Sequence, residues 1–333
     1  MRRGEFHGMK ARSTNAIEVL KRLVQLLLVV IGATFLLSLL LRLLPVGLKE
    51  LYVTGLFEED RQRQIKELGL DRNAFSYYFH WLWDFVRGDF GRIVLPGGGG
   101  ESVSSHVGRA LPKTLQLVFY TQIFALAVAI PLGIFSAYRA GRRTDRFVSY
   151  GLFTAASVPN FVLGLLLALI VGVKLEWLPP LGYVPISESF VDHVRGMVLP
   201  VLALGIPLIA SYTRLLRTDV IATLREDFVT MAVAKGLSDR RILFTHVLRP
   251  SSVTLLTSAA LNMGALIGGS LVIERVFSIP GLGTEIGLAI FGRQYFALQA
   301  YVALVAIGYV VFNSVIDVLV GFVDPRTRER RSA

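Results

Sequence analysis

The chain reads as an all-α, polytopic membrane protein with six transmembrane helices and a small extramembrane insertion after the first. Three observations predict that class. Hydrophobic residues fill 53% of the 333 positions and charged residues only 18%, with a mean hydropathy of +0.57, which leaves too little polar surface to cover a soluble globule of this size. Six stretches reach the roughly 20 apolar residues needed to cross a hydrocarbon core as a helix. Lys and Arg, finally, alternate between dense and sparse in the segments that separate those stretches.

The six spans run approximately over 20–44, 113–138, 147–173, 198–216, 251–273 and 299–321. The first follows a basic head, residues 1–22. It is too long for a simple signal peptide and lacks a small-residue cleavage site, so 23–44 is taken as a retained helix. Segments 1–22, 139–146, 214–249 and 322–333 hold 21 Lys and Arg against nine acidic residues, whereas 45–113, 174–197 and 274–298 hold 13 against 14. The positive-inside rule then puts the first set, with both termini, in the cytoplasm. The formal +11 charge reflects this topology and contact with anionic lipid, not nucleic-acid binding.

Segment 45–112 is the extracytoplasmic insertion. Within it Glu58–Leu68 is polar and helix-prone, and Gly97–Gly100 is a flexible tract. Phe75–Val86 gathers Phe75, Tyr77, Tyr78, Phe79, Trp81, Trp83 and Phe85. These aromatics fit an amphipathic helix at the headgroup level, where Trp and Tyr are enriched, or a surface for a substrate-delivering partner.

The following core, 113–321, has five spans with residues that a purely structural helix avoids. Pro131 with Gly133, Pro159, Pro200 and Pro207 remove backbone donors and predict a kinked bundle. Asn160, Asn262 and Asn313 should face the bundle interior or an aqueous path, because burying them in lipid is costly. Asp317 fits either an interfacial anchor or a pathway residue.

Residues 218–249 interrupt the core with a polar, basic segment in the cytoplasmic set. Asp219–Lys235 reads as a helix, Gly236 breaks it, and Ser238 is placed to cap a second helix running from Asp239 toward Pro250. Phe228, Val229, Met231, Val233 and Leu237 would be exposed on a free loop and need a partner or the bundle to cover them. This helix-Gly-helix elbow reads as a docking surface for a soluble partner. At the other end of the fifth span, VFSIPGLG (276–283) reads as a re-entrant or interfacial turn at the outer mouth, serving as a gate or only as a structural turn. Glu274 and Arg275 could pair there on the surface.

No catalytic pattern accompanies these features. The chain has no cysteine, its five histidines are scattered, and HExxH, phosphate-loop and GxSxG signatures are missing. If ATP drives the protein, another chain binds it.

The segment TMAVAKGLSDRRILFTHVLRP (230–250) resembles the cytoplasmic coupling motif of binding-protein-dependent ABC transporter permeases, in the form found in the dipeptide/oligopeptide branch, first permease subunit type. AIPLGIFSAYRAGRRTDR (129–146), SVPNFVLGLLLAL (157–169), SLVIERVFSIPGLG (270–283) and NSVIDVLVGFVDPRTR (313–328) are similar to that family in the same order, and LGLDRNAFSYYFHWLWDFVRGDFGR (68–92) looks like its extracytoplasmic helix and GDxG turn. Three departures stand out. Thr230, Met231 and Ala232 replace the glutamate and alanine usual elsewhere among such permeases; Leu248-Arg249-Pro250 shifts the closing Leu-Pro by one residue; and Leu44-Pro45 continues as Val46-Gly47-Leu48. The second leaves the end of the coupling helix open, and the third leaves the outer entrance open.

The resemblance implies a type I importer permease in the bacterial cytoplasmic membrane, a transport subunit without a catalytic site or cofactor of its own. It implies a homologous second permease, two ATP-hydrolysing subunits that hold ATP and Mg, and an extracytoplasmic substrate-binding protein. Phe228, Thr230, Met231, Ala232, Ala234, Lys235, Gly236 and Leu237 then form the ATPase-coupling surface, and Phe277, Pro280, Gly281 and Asn313 are candidates for the outer gate or pathway. The implied solute is a di- or oligopeptide, with nickel or glutathione as alternatives in the same machinery. An ion-gradient-driven secondary transporter is the rival from another class; it usually shows inverted repeats and acids near the midplane, and charges at such depth are nearly absent here.

Overall fold

The computed structural model describes residues 24, 27–40, 62, 71–93 and 100–323, with side chains to 314. The basic head 1–22, most of the insertion before 71, Gly97–Gly99, the tail after 323 and the Asp317 side chain lie outside the described residues. Two compact units emerge, one formed by the chain up to Ser105 with Ala289–Val310 and one by His106–Leu288 with residues 311 onward.

In the first unit, α1 (Leu27–Leu40) is apolar but short, and α2 (Ala74–Val86) starts where the Asn73 side chain accepts a hydrogen bond from the Ser76 amide at 2.7 Å. Tyr78 is the centre of this unit. Its hydroxyl donates to the Ile31 carbonyl at 3.0 Å and lies 2.8 Å from the Thr34 hydroxyl, while its ring meets Phe35 edge-on. A ladder of rings continues through Trp81, Phe85 and Phe90. The aromatic run therefore divides: Tyr78 is core, whereas Phe75, Phe79 and Trp83 are exposed.

The longer helices follow. α3 (Val103–Tyr138), α6 (Phe190–Thr223), α8 (Asp239–Val276) and α10 (Tyr295–Val323) are long and apolar enough to cross a membrane, with α10 qualifying over Tyr295–Ser314. Between them lie α4 (Arg143–Ala156), α5 (Asn160–Lys174), α7 (Asp227–Ala234) and α9 (Leu282–Phe291). The span expected over 147–173 is broken: α4 and α5 meet at 99° across Ser157–Pro159. Pro159 explains the corner, since it biases the residue before it out of the helical region. Pro131, Pro200 and Pro207, by contrast, sit inside continuous helices. Four described helices thus qualify as spans, or up to five if the bent pair counts as one.

Within the second unit, α6 is the hub, packed against α4, α5 and α8. Ala125 and Ala129 of α3, Ile209, Tyr212, Leu216 and Val220 of α6, and Leu255 and Ala259 of α8 form one buried cluster. Small residues on α3 let Tyr212 approach closely, and its hydroxyl pairs with the Gln122 amide at 3.2 Å, so the polar atoms are satisfied inside an apolar bundle. Large apolar side chains such as Ile123, Leu165 and Leu261 face outward, as expected of a chain whose solvent is lipid.

Candidate functional site

The elbow grows out of the bundle core. α6 runs past the expected end of its span to Thr223, a turn over 224–226 follows, and α7 doubles back. The single helix expected over Asp219–Lys235 is therefore two. The turn lets Val229 and Ala232, three residues apart on one face, join the buried cluster of Leu216 and Val220, with Leu237 packed on its edge. The opposite face of α7 points outward: Phe228, Met231 and Val233 are 40%, 58% and 58% exposed, and Thr230, Ala234, Lys235 and Gly236 are exposed with them. Half of the apolar set is thus covered by the bundle and half is left open.

Gly236 closes α7. Its amide donates to the Val233 carbonyl at 2.9 Å and the Leu237 amide to the Ala232 carbonyl at 3.2 Å, the paired bonds of a Schellman ending. Its φ of +74° is the left-handed conformation that glycine adopts without a Cβ penalty. An added Cβ would meet nothing within 4 Å, so the position is conformationally demanding and spatially open.

Two further expectations change. Ser238 has N-cap backbone geometry, but its side chain makes no capping hydrogen bond. Nor does the helix stop at Pro250. It passes through a π-helical stretch, Ile242–Val247, and continues as α-helix over Leu248–Val276. Pro250 therefore lies inside a continuous helix, three residues after the π-helical stretch ends. α8 is consequently one rod of 38 residues, about 57 Å long at 1.5 Å per residue. The Ser251 hydroxyl donates to Thr223 Oγ1 at 2.9 Å, tying the rod, about a third of the way along it, to the end of α6.

The other end of the rod is the 276–283 turn (hereafter the outer turn), which the sequence places at the outer mouth. Glu274 is fully buried and does not form a surface pair with exposed Arg275. Its carboxylate accepts from the Gly283 amide at 2.7 Å and from the Ser270 hydroxyl at 3.3 Å. The Leu282 amide donates to Thr114 Oγ1 at 2.9 Å. A Cβ on Gly281 would lie 2.7 Å from Thr114 Oγ1 and collide with the Glu274 carboxylate, and one on Gly283 would run into the Leu271 backbone. Of the gate candidates, Phe277, Pro280 and Gly281 share this turn. Phe277 and Gly281 are buried in it and Pro280 is exposed. Asn313 sits on α10, with its Oδ1 buried and without a hydrogen-bond partner among the described residues.

One structural pair escaped the sequence reading. Arg217 grips Asp145 through two parallel bonds of 2.7 and 2.8 Å, and the Gly141 amide adds a third to the same carboxylate at 2.9 Å. This fork joins the Arg-rich turn before α4 to α6 just above the elbow. Counting charges could flag both residues but could not pair them.

Long apolar helices mark a multi-pass membrane protein, in which one rod joins a partly covered elbow to a packed turn. Residues 129–329 match the family described as "Binding-protein-dependent transport system inner membrane component", and the chain belongs to that family. It is 31% identical over 314 residues to the oligopeptide transport system permease protein AppB of Bacillus subtilis (strain 168), covering 93% of this chain and 99% of that protein. It is 30% identical to the dipeptide transport system permease protein DppB of Escherichia coli (strain K12), covering 83% of this chain and 88% of that protein. The fold is also similar to a chain of the MetNI methionine ABC transporter in inward-facing conformations, with a TM-score of 0.53 at 18% identity over 66% of this chain and 96% of that one.

Proposed function

We propose that this chain is a permease subunit of an ATP-driven importer and forms half of a translocation path for di- or oligopeptides handed over by an extracytoplasmic binding protein. The observation that carries the reading is the continuous α8 rod, which has the elbow at one end and the outer turn at the other. ATP and Mg belong to two ATPase subunits, which seat Phe228, Met231 and Gly236 in a groove. A homologous second permease completes the path, and no bond is made or broken in this chain. Closure of the ATPases displaces the elbow, and because Val229, Ala232 and Leu237 are anchored in the bundle core, the displacement tilts α6 and α8 together. Both termini lie in the cytoplasm of a bacterial cell. The peptide assignment is supported by the peptide systems named among the relatives.

The test is purification of the tagged chain from its native membrane in mild detergent, with its companions identified by mass spectrometry, alongside peptide uptake by cells. A second permease and ATPases recovered in stoichiometric amounts, with uptake lost on ATP depletion, support the reading. A chain that comes alone, with uptake that an ionophore abolishes and ATP depletion spares, overturns it in favour of a gradient-driven carrier.

A further inference from the structure

A cavity of about 600 Å³ opens between α4 and α6, lined in part by Tyr150, Phe153, Ser211, Thr213, Arg214 and Arg217. Thr213 is only 3% exposed, yet its hydroxyl has no hydrogen-bond partner. In a helix that oxygen ordinarily donates back to the carbonyl four residues earlier, and without that bond the buried hydroxyl needs a partner from elsewhere. The two arginines differ. Arg217 is neutralised by the Asp145 fork, whereas the Arg214 guanidinium, the Tyr150 hydroxyl and the Ser211 hydroxyl have no partner among the described residues. The cavity is therefore lined by one cation with no acidic partner among the described residues, by two exposed hydroxyls, and by the buried Thr213 hydroxyl.

Its mouth is apolar. Phe147, Tyr150 and Phe153 project from α4 at 80%, 70% and 67% exposure, and the helix begins in a turn carrying Arg139, Arg142, Arg143 and Arg146. A basic helix end followed by an aromatic stripe, set at 99° to the apolar α5, is the pattern of a helix lying in the membrane interface. A basic pocket between helices at that depth is suited to an anionic headgroup whose acyl chains run along the aromatic stripe.

We propose that this cavity seats the headgroup of an anionic phospholipid, with Arg214 pairing with the phosphate and Thr213 and Ser211 donating to its oxygens. The site requires this end of the bundle to lie at an interface, in either leaflet, and does not depend on the transported solute. The assembled transporter, stripped of lipid in detergent and re-exposed to phosphatidylglycerol or phosphatidylcholine, is examined by native mass spectrometry for retained lipid. Phosphatidylglycerol should be retained in preference to phosphatidylcholine by the natural protein and by Arg214→Lys, with about a fivefold loss in Arg214→Gln. The near-isosteric Thr213→Val should lose about threefold while leaving assembly intact. Equal retention by the natural protein and Arg214→Gln overturns the site. Displacement of the lipid by millimolar inorganic phosphate overturns the lipid source in favour of a free anion. Displacement by dialanine assigns the cavity to the solute path instead, and retention only after the second permease is stripped away assigns it to the subunit interface.

Discussion

The two ends of α8 reverse the chain with glycine in opposite ways. At the elbow, Gly236 is chosen for its dihedral angle, and the space around it is empty. At the outer turn, Gly281 and Gly283 have ordinary φ but no room for a single carbon, because the Glu274 carboxylate, Thr114 and the Leu271 backbone already fill it. One end is an open shape waiting for a surface. The other is a closed joint in which every polar atom named is already committed. A rod fixed tightly at one end and presented freely at the other can pass a displacement along its length without deforming where it is anchored.

The sharpest way to break this contrast is to put a methyl group into the joint. Gly283→Ala drives Cβ into backbone that cannot rotate aside, and should cost about 3 kcal/mol or more, the upper part of the overpacking range. Its apparent Tm in detergent should fall accordingly. A variant that melts with the natural protein would show the joint to be loose. Glu274→Ala comes next. It leaves the Gly283 amide without its acceptor in a dry site, a loss of about 1–3 kcal/mol, while the Ser270 hydroxyl keeps the Ile267 carbonyl at 2.9 Å; Glu274→Gln keeps one acceptor oxygen and should lose less. Asp145→Asn weakens the fork above the elbow; because the Arg217 side chain is 28% exposed and can turn to water, about 1–2 kcal/mol is expected in place of the larger cost of a fully buried break.

The elbow was more legible in the sequence than the joint, for a physical reason. Gly236 between two helix-forming runs, with Ser238 after it, is a local pattern, and local patterns fix local backbone. The positive φ follows from the residue type. Glu274 carries no such signal: its neighbour Arg275 suggests a surface pair, and its partners Thr114 and Gly283 are supplied only by the packed fold. Asp145 and Arg217 are 72 positions apart, beyond any periodicity. The same limit explains the span boundaries. Hydropathy marks where a helix leaves an apolar window, but α6 continues to Thr223 and α8 begins at Asp239 because Val220, Val229, Ile242 and Val247 bury one another. Pro159 marked its corner, whereas Pro250 marked a stop that does not occur, since a proline carried inside a continuous helix and a proline at a break look alike until the hydrogen bonds are known.

The smallest effects on stability should come from the open end, and there the comparison is decided by function. Gly236→Asn keeps access to the left-handed region and should be nearly neutral, whereas Gly236→Ala should lose about 1 kcal/mol to strain alone. Phe228→Ala and Met231→Ala remove side chains that are 40% and 58% exposed, so Tm should move by no more than about 1 kcal/mol equivalent. If the exposed face is an ATPase seat, the same two changes should weaken ATPase association in a pull-down titration by about tenfold, near 1.4 kcal/mol, since an exposed aromatic filling a partner's pocket is where binding energy concentrates. Val229→Ala, on the covered face three residues from Ala232, should do the reverse, lowering Tm without a direct loss of affinity in the folded fraction. Inversion of that pattern would mean that α7 docks through the face it turns to the bundle, and the elbow would have to open before it could couple.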